Sequence, residues 1–264
     1  MSFPGGAFTA DPRSAVVAPS PGPQQGMGYG GSFGSGLTYD RAHSRWLPVV
    51  ERLVSPDGNH YAYGSNDGIY LVDTSTGSQV ELGEGRSWNL LRVLNDRVYA
   101  TVPNSAGFWS VPFSGTPVEV TSTGFWQAAS SAYAFGSPTS AVPQGATQQL
   151  QRLEIATGKT IDWFAVPGAT VSVDGFDSSG EVIVTTSYVN GWELWVVTGA
   201  STGSLIANNS EGFFIEGPMV VDSHGVWFPI YYQPGATPGL ALFVPGNGIY
   251  MVSTVGAQVA GGCA

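Results

Sequence analysis

Short alternating apolar runs separated by turn residues fill the stretch from Leu53 to Leu82. Ser55-Pro56-Asp57-Gly58 ends the first run, Asn66-Asp67-Gly68 the second and Thr74-Ser75-Thr76-Gly77 the third. Runs of this length with period-two alternation are typical of β-strands, and these turn residues favour tight reversals of the chain. The pattern therefore predicts a four-stranded antiparallel meander over this stretch.

The same turn chemistry recurs along the chain. One series of hairpin turns is spaced by 38, 43 and 45 residues, at Thr76-Gly77, Ser114-Gly115, Thr157-Gly158 and Thr202-Gly203. A second series, which runs from Asp57-Gly58 to His224-Gly225, keeps the same phase. A repeat of about 40 residues that carries four short strands and no helical pattern is typical of β-propeller blades.

We therefore predict that residues 37–264 form an all-β propeller of four-stranded antiparallel blades. Five repeats follow residue 53, and Leu37 to Val49 is predicted to form one further hairpin. Residues 1–36, with 9 Gly and 5 Pro, form a separate Gly/Pro-rich segment. If residues 6–18 of that segment add edge strands to the hairpin, the propeller has six blades with a split or degenerate first blade, which is the arrangement we favour; otherwise it has five.

One blade also resembles a known repeat. The residues from Ser55 to Tyr63, followed by Ile69 to Asp73 and the Thr76-Gly77 hairpin, resemble the TolB-type propeller repeat. The whole chain is similar to bacterial proteins predicted to be propellers. The resemblance implies a fold and no particular activity, and members of the wider group often act outside the cytoplasm as interaction platforms or as appendages to peptidases.

Charge and hydropathy exclude two classes of partner. With 9 basic and 19 acidic side chains the net charge is −10, and no basic cluster is present, so we expect no nucleic-acid binding. No apolar run approaches the roughly 20 residues of a membrane span. Met1 to Ala10 lacks the basic start and apolar run of a signal peptide. We expect an extracytoplasmic protein whose export leader is not included in this chain.

Residues suited to catalysis or metal binding are sparse. Cys263 is the single cysteine, so neither an internal disulfide nor a thiolate metal site can form within the chain. The three histidines fall in turns of different predicted blades, so we expect no metal and no cofactor. The predicted first strands, which would line a central channel, offer a mixed set of polar residues: Asn89, Arg92, Gln127, Asp174 and Glu216.

Aromatic residues are the stronger signal. Several occur at the start of first strands, or near the connections between second and third strands, and these positions share one face of a propeller. The predicted ligand-binding residues on this face are Arg86, Trp88, Trp126, Tyr188, Trp192, Tyr231 and Tyr232. The two longest predicted loops, Ser137 to Gln149 and Tyr231 to Asn247, emerge on the same face, and long loops on a rigid scaffold commonly carry function. The alternative is that some of these rings only fill the seams between blades.

The sequence thus predicts a non-catalytic binding or scaffolding propeller that recognises a protein or carbohydrate ligand on an aromatic face. Two alternatives remain open. One is an enzyme of lyase, lactonase or glycosidase type with a central-channel site. The other is a self-assembling surface-layer or adhesive protein, which the low charge and the Gly-rich segment favour.

Overall fold

The computed structural model describes residues 38–253, apart from 41, 44, 140–148, 216–218, 223 and 233–236. These residues form six antiparallel sheets and two single-turn 3-10 helices, at Glu51–Leu53 and Asn209–Glu211. Each sheet consists of strands that follow one another along the chain, which is the architecture of a β-propeller. The predicted all-β propeller is thus confirmed. No helix of the described part is long and apolar enough to cross a membrane.

We number the sheets as blades I to VI. Blade I has two strands, β1 (Thr38–Asp40) and β2 (Arg45–Leu47). Blade II has three, β3 (His60–Gly64), β4 (Ile69–Asp73) and β5 (Gln79–Leu82). Blade III has four, β6 (Asn89–Val93), β7 (Arg97–Thr101), β8 (Phe108–Pro112) and β9 (Val118–Thr121).

Blades IV and V each have four strands, and blade VI has five. Blade IV comprises β10 (Phe125–Ala129), β11 (Tyr133–Ser137), β12 (Leu150–Glu154) and β13 (Lys159–Phe164). Blade V comprises β14 (Thr170–Phe176), β15 (Val182–Tyr188), β16 (Gly191–Gly199) and β17 (Thr202–Asn208). Blade VI comprises β18 (Phe213–Ile215), β19 (Val220–Asp222), β20 (Gly225–Tyr232), β21 (Thr237–Val244) and β22 (Gly248–Ser253), with β18 and β19 both paired to β20.

The predicted turns owe their shape to short polar side chains. In the β4–β5 hairpin the Asp73 carboxylate accepts hydrogen bonds from the backbone N–H groups of Ser75 and Thr76, at 2.9 and 2.7 Å. Gly77 completes this turn at a φ of +72°, a conformation that suits glycine. Asp177 holds the β14–β15 turn in the same way, by accepting from the N–H groups of Ser179 and Glu181.

The first strands of the blades lie innermost. The 3-10 helix at Glu51–Leu53 contacts β6, and β6, β10 and β14 contact one another in order. Hydrophobic clusters fill the seams between neighbouring blades. The seam between blades III and IV contains Phe108, Trp126 and Leu153, and the seam between blades V and VI contains Ile183 and Phe228. Each blade is therefore held by its neighbours rather than by a core of its own.

Blades I and II contain most of the strands that the sequence predicted for them. The hairpin predicted between Leu37 and Val49 is present as β1 and β2, which pair from Thr38 with Leu47 to Asp40 with Arg45. The first predicted strand of blade II is reduced to a single bridge between Val54 and Tyr61. Six sheets with a two-stranded first sheet match the predicted six-blade arrangement with a degenerate first blade. Its completion by residues 6–18, and the character of segment 1–36, lie outside the described residues and stay predictions.

Blade VI requires a correction. The segment from Tyr231 to Asn247, predicted as a long loop, contains the eight-residue strand β21. Its apolar run, from Leu240 to Val244, pairs with β20 on one side and β22 on the other. The Pro and Gly residues before this run suggested a loop, but they occupy only its start. Strand β22 (Gly248–Ser253) follows β21 at the outer edge of the sheet. The other predicted loop, Ser137 to Gln149, lies mostly outside the described residues.

Candidate functional site

Two clefts open where neighbouring blades meet toward the outer strands. The cleft between blades II and III has a volume of about 400 Å³ and includes two of the predicted binding residues, Arg86 and Trp88. One wall is the end of β5 and the connection that follows it, and the other is the β8–β9 hairpin. We call it the II–III cleft; its lining residues are Val80, Glu81, Leu82, Gly83, Glu84, Arg86, Trp88, Trp109, Phe113, Gly115, Thr116 and Pro117.

Arg86 lies over two indole rings in this cleft. Its guanidinium carbon is 5.3 Å from the ring centroid of Trp88 and 5.0 Å from that of Trp109. The two rings meet edge to face, with centroids 5.8 Å apart. The Arg86 side chain is exposed. The arrangement is a cation–π stack that presents a guanidinium edge to solvent. The N–H groups on that edge can donate hydrogen bonds to an acceptor on a ligand.

The position of Trp88 depends on a glycine. The indole Nε1 of Trp88 donates to the carbonyl of Gly83 at 2.8 Å. Gly83 has a φ of +62°, and a Cβ atom there would lie 2.9 Å from Nε1. The Trp88 side chain is only 4% exposed. Its ring therefore forms the floor of the cleft and supports Arg86, and offers almost no surface of its own to a ligand.

The rim of the II–III cleft combines apolar and acidic groups. Val80 on the outermost strand β5 is 58% exposed, and Glu81 and Glu84 are also exposed. Phe113 and Pro117 are half-buried on the opposite wall. The cleft can therefore make apolar contacts along its length, with acidic groups on one rim and the Arg86 guanidinium beside them.

Trp126 repeats the Trp88 arrangement one seam further along. It is 5% exposed, its Nε1 donates to the carbonyl of Thr123 at 3.0 Å, and its ring packs edge to face on Phe108. Gly124, at a φ of +77°, lies against the ring as Gly83 does in the first seam. Trp126 thus fills the seam between blades III and IV, and its role as a binding residue stays a prediction.

The remaining predicted residues lie at blades V and VI. The Tyr188 hydroxyl donates to Glu193 Oε2 at 2.7 Å, and burial, followed by this hydrogen bond, raises the pKa of Tyr188. Trp192 packs on Phe213 across the seam, with centroids 6.2 Å apart. Tyr231 pairs with Phe214, which is 39% exposed.

Tyr231 and Tyr232 are the last two residues of strand β20, beside the connection to β21. The seven predicted residues are therefore distributed over three seams. The structure brings Arg86 together with Trp88. Tyr188 and Trp192 lie on neighbouring strands, where Tyr188 pairs with Gly191 and Trp192 with Ser187. The single binding surface expected from the sequence stays a prediction.

Two features of the clefts were missed by sequence reasoning. Trp109 was not among the predicted binding residues, although it lines the II–III cleft. The second cleft, between blades III and IV, has a volume of about 590 Å³ and is lined by Tyr99, Tyr133, Val118 and Val120 among others. Clefts of this kind form between two blades, so only the pairing of distant segments reveals them.

The innermost strands carry the polar residues expected from the sequence, with Glu216 outside the described part. Burial lowers the pKa of Arg92, although Glu51 acts against this shift. Solvent reaches Asp174, yet the surrounding protein displaces enough water to raise the pKa of its carboxyl group to about 6, and hydrogen bonds from Thr185 act against this shift. Among the described residues, no three His, Cys, Asp or Glu side chains are grouped closely enough to hold a metal ion.

Comparisons with known proteins give matches among solved structures at low sequence identity. No protein-family model matches the sequence, and the curated proteins contain no match. A solved structure described as "putative TolB from Agrobacterium tumefaciens" is 14% identical, with a TM-score of 0.49 over 75% of this chain and 78% of its own. Dihydro-heme d1 dehydrogenase NirN in complex with DHE is 13% identical, with a TM-score of 0.41 over 78% of this chain and 55% of its own. The propeller assignment itself rests on the sheet topology of this chain.

Proposed function

We propose that the protein is a non-catalytic binding module that recognises a protein or carbohydrate ligand through the II–III cleft, outside the cytoplasm. One observation carries the proposal: Arg86 is exposed and stacked on Trp88 and Trp109, in a cleft that also exposes Val80. Stacked arginine and tryptophan are enriched where proteins bind their partners, because they combine apolar area with donors held in a fixed orientation.

The electrostatic setting supports a ligand with both apolar and polar groups. Glu81 and Glu84 would attract basic or hydroxyl groups to one rim, and Arg86 would donate hydrogen bonds to a carbonyl or carboxylate. The cleft is lined by the end of β5, whose outer edge pairs with no other strand among the described residues. An extended peptide or a short glycan chain could lie beside such an edge, and screening against both classes separates the two.

Labelled full-length protein should be screened against peptide and glycan arrays, and the ligand so found should be titrated by calorimetry. We expect the changes Arg86→Ala and Trp109→Ala each to weaken its binding about tenfold or more. Arg97→Ala is the matched control, because Arg97 is also exposed but pairs with Asp96 at 2.6 Å beside the other cleft. Unchanged affinity in both cleft variants would exclude this site.

A second candidate function, an enzyme acting at the innermost strands, is favoured by Asp174, whose raised pKa would suit a general acid. Glycosidases of the common type use two carboxyl groups about 5–10 Å apart. The acidic residues within the described first strands, Asp40, Asp174 and Asp222, all belong to different blades. Turnover of aryl glycosides or lactones by the wild-type protein and its loss in Asp174→Asn would establish the enzyme.

A further inference from the structure

The outermost strands of blades III to VI each contain a β-bulge. The pairing with the neighbouring strand skips Val120 in β9, Trp163 in β13, Ile206 in β17 and Val252 in β22. A bulge leaves one residue unpaired and increases the local twist, which hinders another extended chain from pairing along the outer edge. Strand β5 of blade II differs, because it pairs with β4 in a continuous register. Its outer edge is therefore more regular than those of the four blades that follow.

The pairing of β5 with β4 leaves two residues with their backbone groups turned outward. The N–H of Asp73 donates to the carbonyl of Ser78 at 2.9 Å, just before β5 begins. Along an antiparallel pair, every second residue bonds to the neighbouring strand. Val80 therefore bonds to β4, and the N–H and C=O groups of Gln79 and Glu81 point to the outer edge. Among the described residues, no strand pairs with this edge.

The side chains of β5 alternate between two faces of the blade. Val80 is 58% exposed and lines the II–III cleft, whose opposite wall includes Phe113. Glu81 lies on the other face, together with Tyr70, which it opposes in the register. Asp67 and then Glu81 raise the pKa of Tyr70, so the electrostatic potential on this face is negative. A strand added at this edge would alternate in the same way, and its basic side chains would suit the acidic face.

We propose that an extended segment of a partner protein, in which apolar and basic residues alternate, adds to β5 as a further strand of blade II. Its backbone pairs with Gln79 and Glu81, and its apolar side chains pack on Val80. Arg86, which follows β5, donates to a carbonyl or carboxylate of the same segment. Strand addition rests on the function proposed for the II–III cleft. It selects a peptide over a glycan, because a glycan has no repeating backbone amides to continue the sheet.

The test uses full-length protein and a blocked hexapeptide in which valine and arginine alternate. Calorimetry should show binding with a Kd of about millimolar or tighter, and the same peptide with N-methylated amides should not bind. In hydrogen exchange followed by NMR, the amides of Gln79 and Glu81 should exchange rapidly in the free protein and be protected by the peptide. Protection of both amides in the free protein would overturn the proposal, because the edge would already be covered. Absence of peptide binding would also overturn it.

Two substitutions of Gln79 isolate the backbone contribution. Gln79→Pro removes the outward N–H group, whereas the matched control Gln79→Ala removes the side chain and keeps that group. Proline is tolerated at an edge position whose N–H faces solvent, and the Tm of each variant establishes that it is folded. Gln79→Pro should bind the peptide about tenfold more weakly than Gln79→Ala, because a backbone hydrogen bond between the strands is lost. Equal binding by the two variants would contradict strand addition.

Arg86→Ala separates a failure of strand addition from a failure of the cleft. If Arg86→Ala loses a ligand found on the arrays, and Gln79→Pro binds that ligand as Gln79→Ala does, the cleft functions without strand addition and the proposal is overturned. If peptide binding falls in Gln79→Pro and is unchanged in Arg86→Ala and Trp109→Ala, strand addition is supported and the II–III cleft is excluded as the binding site.

Discussion

Two arginines of this propeller stack on pairs of aromatic rings, and their settings differ. Arg152 on β12 lies 3.8 Å from the ring centroid of Trp163 and 4.4 Å from that of Tyr133, within blade IV. Arg86 lies 5.0 and 5.3 Å from the rings beneath it and is exposed. Arg152 is half-buried, and its Nε atom has no hydrogen-bond partner among the described residues.

The comparison shows that residue type alone does not decide the role of an arginine–aromatic stack. Arg152 packs tightly, and the electrostatic influence of its charge reaches Glu181 on the next blade. Its guanidinium thus contributes to the packing and charge of the seam between blades IV and V, and is not available to a ligand. Arg86 packs more loosely beside an open cleft, so its donors remain available. We infer that the first stack serves stability and the second serves binding, and the following changes test that division.

The largest effect should come from removing the ring beneath Arg86. Trp88→Ala deletes a nearly buried indole and its hydrogen bond to Gly83, so the free energy of unfolding should fall by about 3–5 kcal/mol. Chemical denaturation followed by circular dichroism would measure it. Trp109→Ala, which removes a partly exposed ring, should cost less. A loss below about 1 kcal/mol for Trp88→Ala would contradict the assignment of this ring to the seam.

Arg152→Ala should destabilise the fold by about 2 kcal/mol, because a desolvated cation–π stack and the packing of the side-chain stem are both lost. Arg152→Lys is the informative companion. It keeps the charge but loses the planar stacking surface, so its stability should lie between those of the wild type and Arg152→Ala. If the lysine variant is as stable as the wild type, charge rather than stacking accounts for the contribution.

Arg86→Ala should lower the free energy of unfolding by less than about 1 kcal/mol, because solvent screens an exposed stack. The measurement is the same denaturation experiment, with Arg152→Ala analysed beside it. Equal losses for the two arginines would remove the distinction on which the binding assignment rests.

The smallest effect concerns pH. Burial, and then Asp177, raise the pKa of Glu181 above its ordinary value, whereas Arg152 lowers it. Removal of Arg152 should raise this pKa further. A carboxyl group with a raised pKa in the folded state binds its proton more readily when folded, so its ionisation opposes folding as pH rises. Arg152→Ala should therefore lose more stability at pH 7 than at pH 4.

NMR titration of Glu181 and the Tm at both pH values would measure this effect. Arg86→Ala serves as the control and should leave the titration of Glu181 unchanged. A pKa for Glu181 that falls or stays constant in Arg152→Ala would show that the two side chains do not interact.

The strands of blades II to V could be predicted because their signals are local. Asp73 and Asp177 accept hydrogen bonds from backbone N–H groups two to four residues ahead. Their turns can therefore be predicted from the local sequence. Strand β21 was missed because Pro and Gly at its start resemble a loop. The 3-10 helix at Glu51–Leu53 was also missed; it ends at Leu53, where the first strand of blade II was expected to begin.

The candidate site was predictable only in part. Arg86 and Trp88 were identified from their place at a connection, but the burial of Trp88 and Trp126 depends on side chains of another blade. In β10 and β14 one extra residue, Gln127 and Asp174 respectively, interrupts the pairing with the next strand. Nothing in the alternation of apolar and polar residues distinguishes them from ordinary strand positions, so their re-aimed side chains appear only in the structure.

The construction of each blade from consecutive strands has a consequence for folding kinetics. Hairpin contacts within one blade close short loops, so they form at a low cost in chain entropy and early. The seams join segments about 40 residues apart and contact only the next blade, as in a repeat protein with nearest-neighbour coupling. Unfolding should accordingly begin where a blade has the fewest strands. The two-stranded blade I is therefore where amide hydrogen exchange should first report opening of the described fold.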